Sequence, residues 1–155
     1  MKLNITKAKL WLCLPILVAE VLDYTLTMLG QPVEYWKGSY HLVNELNPFA
    51  RWFMVIHPMG IIIYIVLDIA ATCFMIFILP LMLSKVLSAF WTIGSAKAIY
   101  NWLVGPLDMG WWISNLAILV PAVILAHAFD KASVSQTNLN AQSAGIQFEF
   151  PRRGD

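Results

Sequence analysis

Glu20, Asp23 and Thr27 recur at i, i+3 and i+7 within an apolar stretch, a spacing that puts all three on one face of a helix. Asp68 with Thr72 repeats the arrangement one apolar segment on, and Lys97 with Asn101 repeats it at i, i+4 in the next. Asn115 follows Ser114 near the start of the last apolar segment. A charged side chain at the centre of a bilayer costs roughly 2.5–3.5 kcal/mol, so each of these groups needs a partner or a function. Three carboxylates face one lysine, and full ionisation would leave a surplus of two negative charges in a low dielectric. Protons or a cation should make up that difference. Three kinds of chemistry suit such a cluster: proton or cation handling, acid–base work at a carboxylate, or pairing with Lys97 that only holds helices together.

More polar groups lie just outside the apolar segments, in "HLVNELNPFARW" (41–52), which holds Glu45, Asn47, Pro48 and Arg51. The loop that carries it, about 30–57, is too long for a simple connector, since helix–helix links usually run ~2–8 residues. Phe49, Trp52, Phe53, Met54, Val55 and Ile56 within it need burial. Asn47 as N-cap and Pro48 at the first helical position predict a short interfacial helix. The segment is expected to fold back over the outer end of the first helix and bring Glu45 or Asn47 to Asp23 or Thr27. The alternative is a mobile loop in which Asn47 caps only its own helix.

"LDYTLT" (22–27), then "NELNPFARW" (44–52), then a glycine and a second apolar helix resemble a family of small prokaryotic membrane proteins that share a domain of unknown function. That family is recognised by an Asp…Thr first helix followed by Glu-x-Asn-Pro, and the match covers about residues 15–75. The resemblance singles out Asp23, Thr27, Glu45, Asn47 and Pro48, and implies a bacterial or archaeal cytoplasmic membrane. The family tends to carry a lysine in its second helix. Here that helix has Asp68 and the lysine appears as Lys97 in the next, so the resemblance implies a carboxylate–lysine pairing with its partners exchanged. The family lends positions and no chemistry.

The elements that must position these groups follow from hydropathy. The chain has 155 residues, 59% hydrophobic and only 12% charged, with a mean hydropathy of +0.68. A soluble domain carries about twice that charge. The net charge of +1 gives no electrostatic case for nucleic acid. Apolar segments fall at about 10–29, 58–83, 86–104 and 110–129, and a spanning helix needs ~20 residues. The expected fold is all-α: a four-helix transmembrane bundle over residues 1–130, with the short interfacial helix in its first outer loop. The N-terminal apolar stretch continues to about Gly30 without a small-residue cleavage site, so it reads as a retained helix. Lys2, Lys7, Lys9, Lys85, Lys131, Arg152 and Arg153 fall on one side of a four-span topology, and only Lys37 and Arg51 on the other. The positive-inside rule then places both termini in the cytoplasm. Trp36, Trp52, Trp102, Trp111 and Trp112 map to the outer interface, Trp11 and Trp91 near the inner one. At ~1.5 Å per residue, Asp23 and Lys97 sit roughly 10 Å below the outer ends, Glu20 and Asp68 roughly 15 Å, and Asn115 higher.

Residues 131–155, rich in Ser, Asn, Gln and Ala, are expected to be a disordered cytoplasmic tail, with "IQFEF" (146–150) as a docking motif at most. Gly94 and Ala98 form a small-xxx-small step suited to close helix packing. Cys13 and Cys73 lie in apolar runs and read as buried structural thiols. His41, His57 and His127 are scattered, and there is no HExxH, Walker or GxGxxG motif. Ser39, Ser84, Ser88, Ser95 and Ser114 lack a Gly-x-Ser-x-Gly setting. Neither metal nor cofactor is expected. The leading functional reading is a small integral inner-membrane protein without enzymatic activity: an accessory, assembly or binding subunit with a buried outer-leaflet polar cluster. Its partners are the bilayer and either another protein or a second copy. The rivals are a homodimeric proton- or cation-coupled transporter and an intramembrane enzyme using Glu20, Asp23 or Glu45 as acid/base.

Overall fold

The computed structural model describes residues 6–143, and these contain helices and turns but no strand. In chain order the helices are α1 (Lys7–Leu29), α2 (Val33–Trp36), α3 (Pro48–Ile56), α4 (Gly60–Ile78), α5 (Leu81–Val104) and α6 (Gly110–Ser143), with a 3-10 turn at Tyr40–Leu42 between α2 and α3. By length and hydropathy α1, α4 and residues 110–138 of α6 are sufficient to cross a bilayer. Only 17% of the apolar window of α4, and the same share of that of α6, is buried inside the protein. Ile62, Ile63, Val66 and Leu67 on α4 and Leu116, Leu119, Val120 and Val123 on α6 point outward. Such a surface fits an integral membrane protein whose outward face meets lipid.

α1 is the central helix and packs against α4, α5 and α6. At the end that carries the chain terminus, Ala8, Leu12 and Ile16 pack with Ile76 and Ala132. α5 is the one long helix without a stretch apolar enough to span, and it carries a run of small hydroxyl residues. Ser84, Ser88, Thr92 and Ser95 are all buried along it. The Ser88 hydroxyl donates to the Leu12 carbonyl at 2.7 Å, and Thr92 back-bonds to the Ser88 carbonyl at 2.7 Å. Small hydroxyl side chains let the backbones approach and keep their own polar groups satisfied.

Three expectations are corrected. α4 ends at Ile78, and α5 begins at Leu81 rather than near 86. Pro80 forces the break, because it has no N–H to donate and holds Leu79 extended (φ −74°, ψ 154°). The carbonyls freed there are collected by Lys9, whose buried ammonium donates to Phe77 O at 2.9 Å and Leu79 O at 2.6 Å. The Ser84 hydroxyl also reaches them, with Ile76 O at 2.9 Å. Second, α6 does not stop at 129 but continues to Ser143, so the first half of the expected tail is helical. Ala128 and Ala132 are fully buried, and Lys85 donates to Ser133 at 2.8 Å, so tertiary contacts carry the helix past its apolar part. The motif at 146–150 lies outside the described residues. Third, Gly94 has open space around it and lines a cavity together with Ala98, so this small-residue step faces a void instead of a helix.

Cys13 and Cys73 are half-buried free thiols in contact across α1 and α4. At the opposite end residues 30–57 form a folded cap. Tyr35 is fully buried and packs with Tyr24, Val43, Ala50, Met54 and Ile61, and its hydroxyl donates to the Met54 carbonyl at 3.3 Å. α3 begins as its sequence predicts: Asn47 Oδ1 accepts from the Phe49 and Ala50 amides at 3.0 and 3.5 Å, with Pro48 at the first helical position.

Candidate functional site

Beneath this cap, α1, α4 and α5 enclose a cavity of about 480 Å³. α4 and α5 are joined at the Pro80 turn, and Asp68 of α4 meets Trp91 of α5 across the cavity. α1 contributes Glu20, Asp23 and Tyr24 to the walls, the loop Glu45 and Asn47, and α4 Tyr64 and Asp68. α5 contributes Trp91, Ser95, Lys97, Asn101 and Trp102. Seven of the nine polar residues marked out by sequence thus line one space: Glu20, Asp23, Glu45, Asn47, Asp68, Lys97 and Asn101.

Glu20 lies deepest, at 4% exposure. It accepts a 2.5 Å hydrogen bond from the Ser95 hydroxyl and is in polar contact with Asp68 and Tyr24. Asp68 in turn meets the Trp91 indole N–H. A hydrogen bond between two carboxyl groups needs one proton between them, so Glu20 and Asp68 form a natural proton-holding pair. Tyr24 and Tyr64 stack edge to face with centroids 5.7 Å apart, and Asn47 Nδ2 donates to the Tyr64 hydroxyl at 2.9 Å. This chain of contacts runs from the middle of α1 to the cap.

Asp23 is different. Its Oδ1 is buried and has no hydrogen-bond partner, the only such side-chain atom among the described residues. A buried acceptor left unmade costs ~1–3 kcal/mol, so this oxygen is poised for a donor the chain does not supply.

The loop reaches the end of α1 through Thr27 and Gln31. Thr27, at 1% exposure, makes its hydroxyl contact with Glu45. Gln31 then stitches the two strands of chain: Nε2 donates to Thr27 O at 2.7 Å and Asn44 O at 2.9 Å, and Oε1 accepts from the Asn44 amide at 2.8 Å. Gly30 lets the Trp102 ring of α5 pack against the end of α1, since a Cβ there would run into it. Glu45 accepts from the Asn47 amide at 2.6 Å. Burial nonetheless holds its carboxyl above the ordinary carboxylate range, outweighing the Asn47 and Leu46 amides and the Thr27 hydroxyl.

Two expected members, Thr27 and Asn115, do not line the cavity, and a third, Lys97, lines it without the expected partner. Lys97 was expected to pair with Asp68, Asp23 or Glu20, but it makes no ion pair within 4.0 Å among the described residues and its side chain is exposed. Ser95, two residues before it, is buried against Glu20 of α1, so Lys97 points away from α1 at the rim of the cavity. Asn115 lies on α6 beyond α5, in a separate groove, with its amide donating to the Trp111 carbonyl at 2.7 Å. Sequence reasoning passed over Tyr24, Tyr64, Ser95, Trp91 and Gln31. Tyr24 had a readable signal, four residues from Glu20 on the same face. Gln31 had none, because its role depends on where the loop returns.

The chain matches no family model, no curated protein and no solved structure. What the fold and site define is a class: an all-helical protein with membrane-spanning helices and an acid-lined cavity at one end of its bundle.

Proposed function

We propose that this protein is a small non-enzymatic binding subunit of the cytoplasmic membrane, with four spans and both termini inside, whose outer-leaflet cavity holds a small organic cation. The resemblance to the Glu-x-Asn-Pro membrane family supports the positions Asp23, Thr27, Glu45, Asn47 and Pro48 and a prokaryotic origin. The observation that carries the reading is the unpartnered Asp23 Oδ1 in a cavity walled by carboxylates and aromatic rings. A volume of about 480 Å³ exceeds what a bare ion needs, and aromatic faces beside carboxylates suit an ammonium group. The opposite half of the bundle is closed by Leu12, Ile16 and Ile76, which favours a binding site over a conduit.

The test is a choline titration of the purified protein, followed by the fluorescence of the cavity tryptophans, with sodium chloride as control. Saturable quenching is expected for choline alone, weakened at least about tenfold in Asp23→Asn through loss of the negative charge that faces the quaternary ammonium. Equal responses to both salts would refute the reading. The Glu20–Asp68 contact favours a second reading, a proton-coupled carrier. That reading requires pH-gradient-driven flux in liposomes that fails in Asp23→Asn.

A further inference from the structure

A second concave feature lies on the other side of α5. It is a groove of about 430 Å³ between α5 and α6, lined almost wholly by apolar side chains. Lys97, Tyr100 and Asn115 mark its loop end, and Ile93, Ala96 and Ala122 are among the residues lining it farther from the loops. Asn115 to Leu125, which also lines it, spans about 15 Å at the rise of an α-helix, half the hydrocarbon thickness of a bilayer.

We propose that this groove binds one anionic phospholipid, with the phosphate on the Lys97 ammonium and an acyl chain along Ile93, Ala96 and Ala122. Two observations converge. Lys97 is exposed and has no ion-pair partner among the described residues, although a cavity with four carboxylates, Glu20, Asp23, Glu45 and Asp68, adjoins it. Those carboxylates come from α1, α4 and the cap, whereas Lys97 faces away from α1, so its charge is offered outward. The groove that starts at this cation runs inward with largely apolar walls, Thr92 being the polar residue beyond its mouth, beside the exposed apolar face of α6. A cationic mouth on an apolar channel complements a lipid with a negative head and an extended tail. A second copy of the chain would need an anionic group at the same height, and the outward face of α6 offers none between Trp111 and Phe129.

The experiment is native mass spectrometry of the full chain in mild detergent, titrated with equimolar phosphatidylglycerol and phosphatidylcholine. Wild-type protein should retain one phosphatidylglycerol in preference to phosphatidylcholine by about fivefold, the worth of one basic residue near an anionic surface. Lys97→Gln should bring the ratio close to one, and Lys97→Arg should keep it. Ala122→Phe, which fills the groove from an exposed position, should remove retention of both lipids. Wild-type protein alone also tests the idea, because about 0.5 M salt should abolish the preference if the mouth is wet and charged. Equal retention of the two lipids by wild-type protein, a preference that survives Lys97→Gln, or a lipid-free dimer lost in Ala122→Phe would each overturn the proposal.

Discussion

At the residue scale two of the four carboxylates of the cavity are in opposite circumstances. Asp23 has an orphaned buried oxygen, so it costs stability while the cavity is empty. Asp23→Leu should raise the unfolding free energy by ~1–3 kcal/mol, as the lone acceptor disappears, and should abolish choline quenching. A chemical-denaturation curve in detergent reads the first effect, and an unchanged or lowered stability would contradict it. Glu45 is partnered but buried, and its carboxyl titrates above the ordinary value. For a carboxyl raised in the folded state, the stabilising contribution is full below the unfolded value and is lost as pH rises through the folded one. The thermal midpoint should therefore fall as pH rises past the ordinary carboxylate range. Glu45→Gln should remove that part of the slope and leave whatever the other acids contribute.

At the element scale the cap is held on the bundle by side chain–backbone bonds. Gln31 makes three of them between the end of α1 and Asn44. Gln31→Leu keeps the volume but strands the Asn44 amide and weakens two carbonyls, so a loss of ~1–3 kcal/mol is expected. Hydrogen exchange should locate it, with faster exchange at Asn44 and through α3 while α5 and α6 stay protected. Uniform loss of protection across all helices would mean that the cap and the bundle unfold as one unit. The opposite end uses the same device, with Lys9 collecting the carbonyls that Pro80 releases.

At the scale of the whole molecule the proposal turns on α5, the long helix that does not reach spanning hydropathy. Its Ser84, Ser88, Thr92 and Ser95 hydroxyls are buried inside the bundle, Ser88 and Ser95 against α1, which leaves Lys97 and Asn101 as its exposed polar groups near the cavity. With α5 spanning, the cap and the end of α6 lie on opposite sides of the membrane. Lys37→Cys and Asn140→Cys, in a background with Cys13 and Cys73 changed to Ala, should react with impermeant maleimide from outside and from inside respectively. Reaction of both from one side would sink the four-span arrangement. Lys37 is preferred over its neighbour because Gly38 has φ +103°, which strains any side chain.

Apolar run lengths, the Asn47-Pro48 cap and the i, i+3, i+7 spacing of Glu20, Asp23 and Thr27 are local properties. The helical character, the start of α3 and the shared face on α1 therefore follow from residues a few positions apart. The sequence also marked Glu45 and Asp68 as acids in need of company, but not whose. Which groups meet is a matter of helix rotation and of where a long loop returns, and both depend on contacts between distant residues. Lys97 shows the difference: its spacing fits a buried partner, yet the packing of Ser88 and Ser95 against α1 turns it outward. The same packing leaves Asp23 without a donor, brings Gln31 to Asn44 and carries α6 past its apolar stretch to Ser143. No local pattern encodes these outcomes, because each is decided by what the rest of the bundle places opposite the residue.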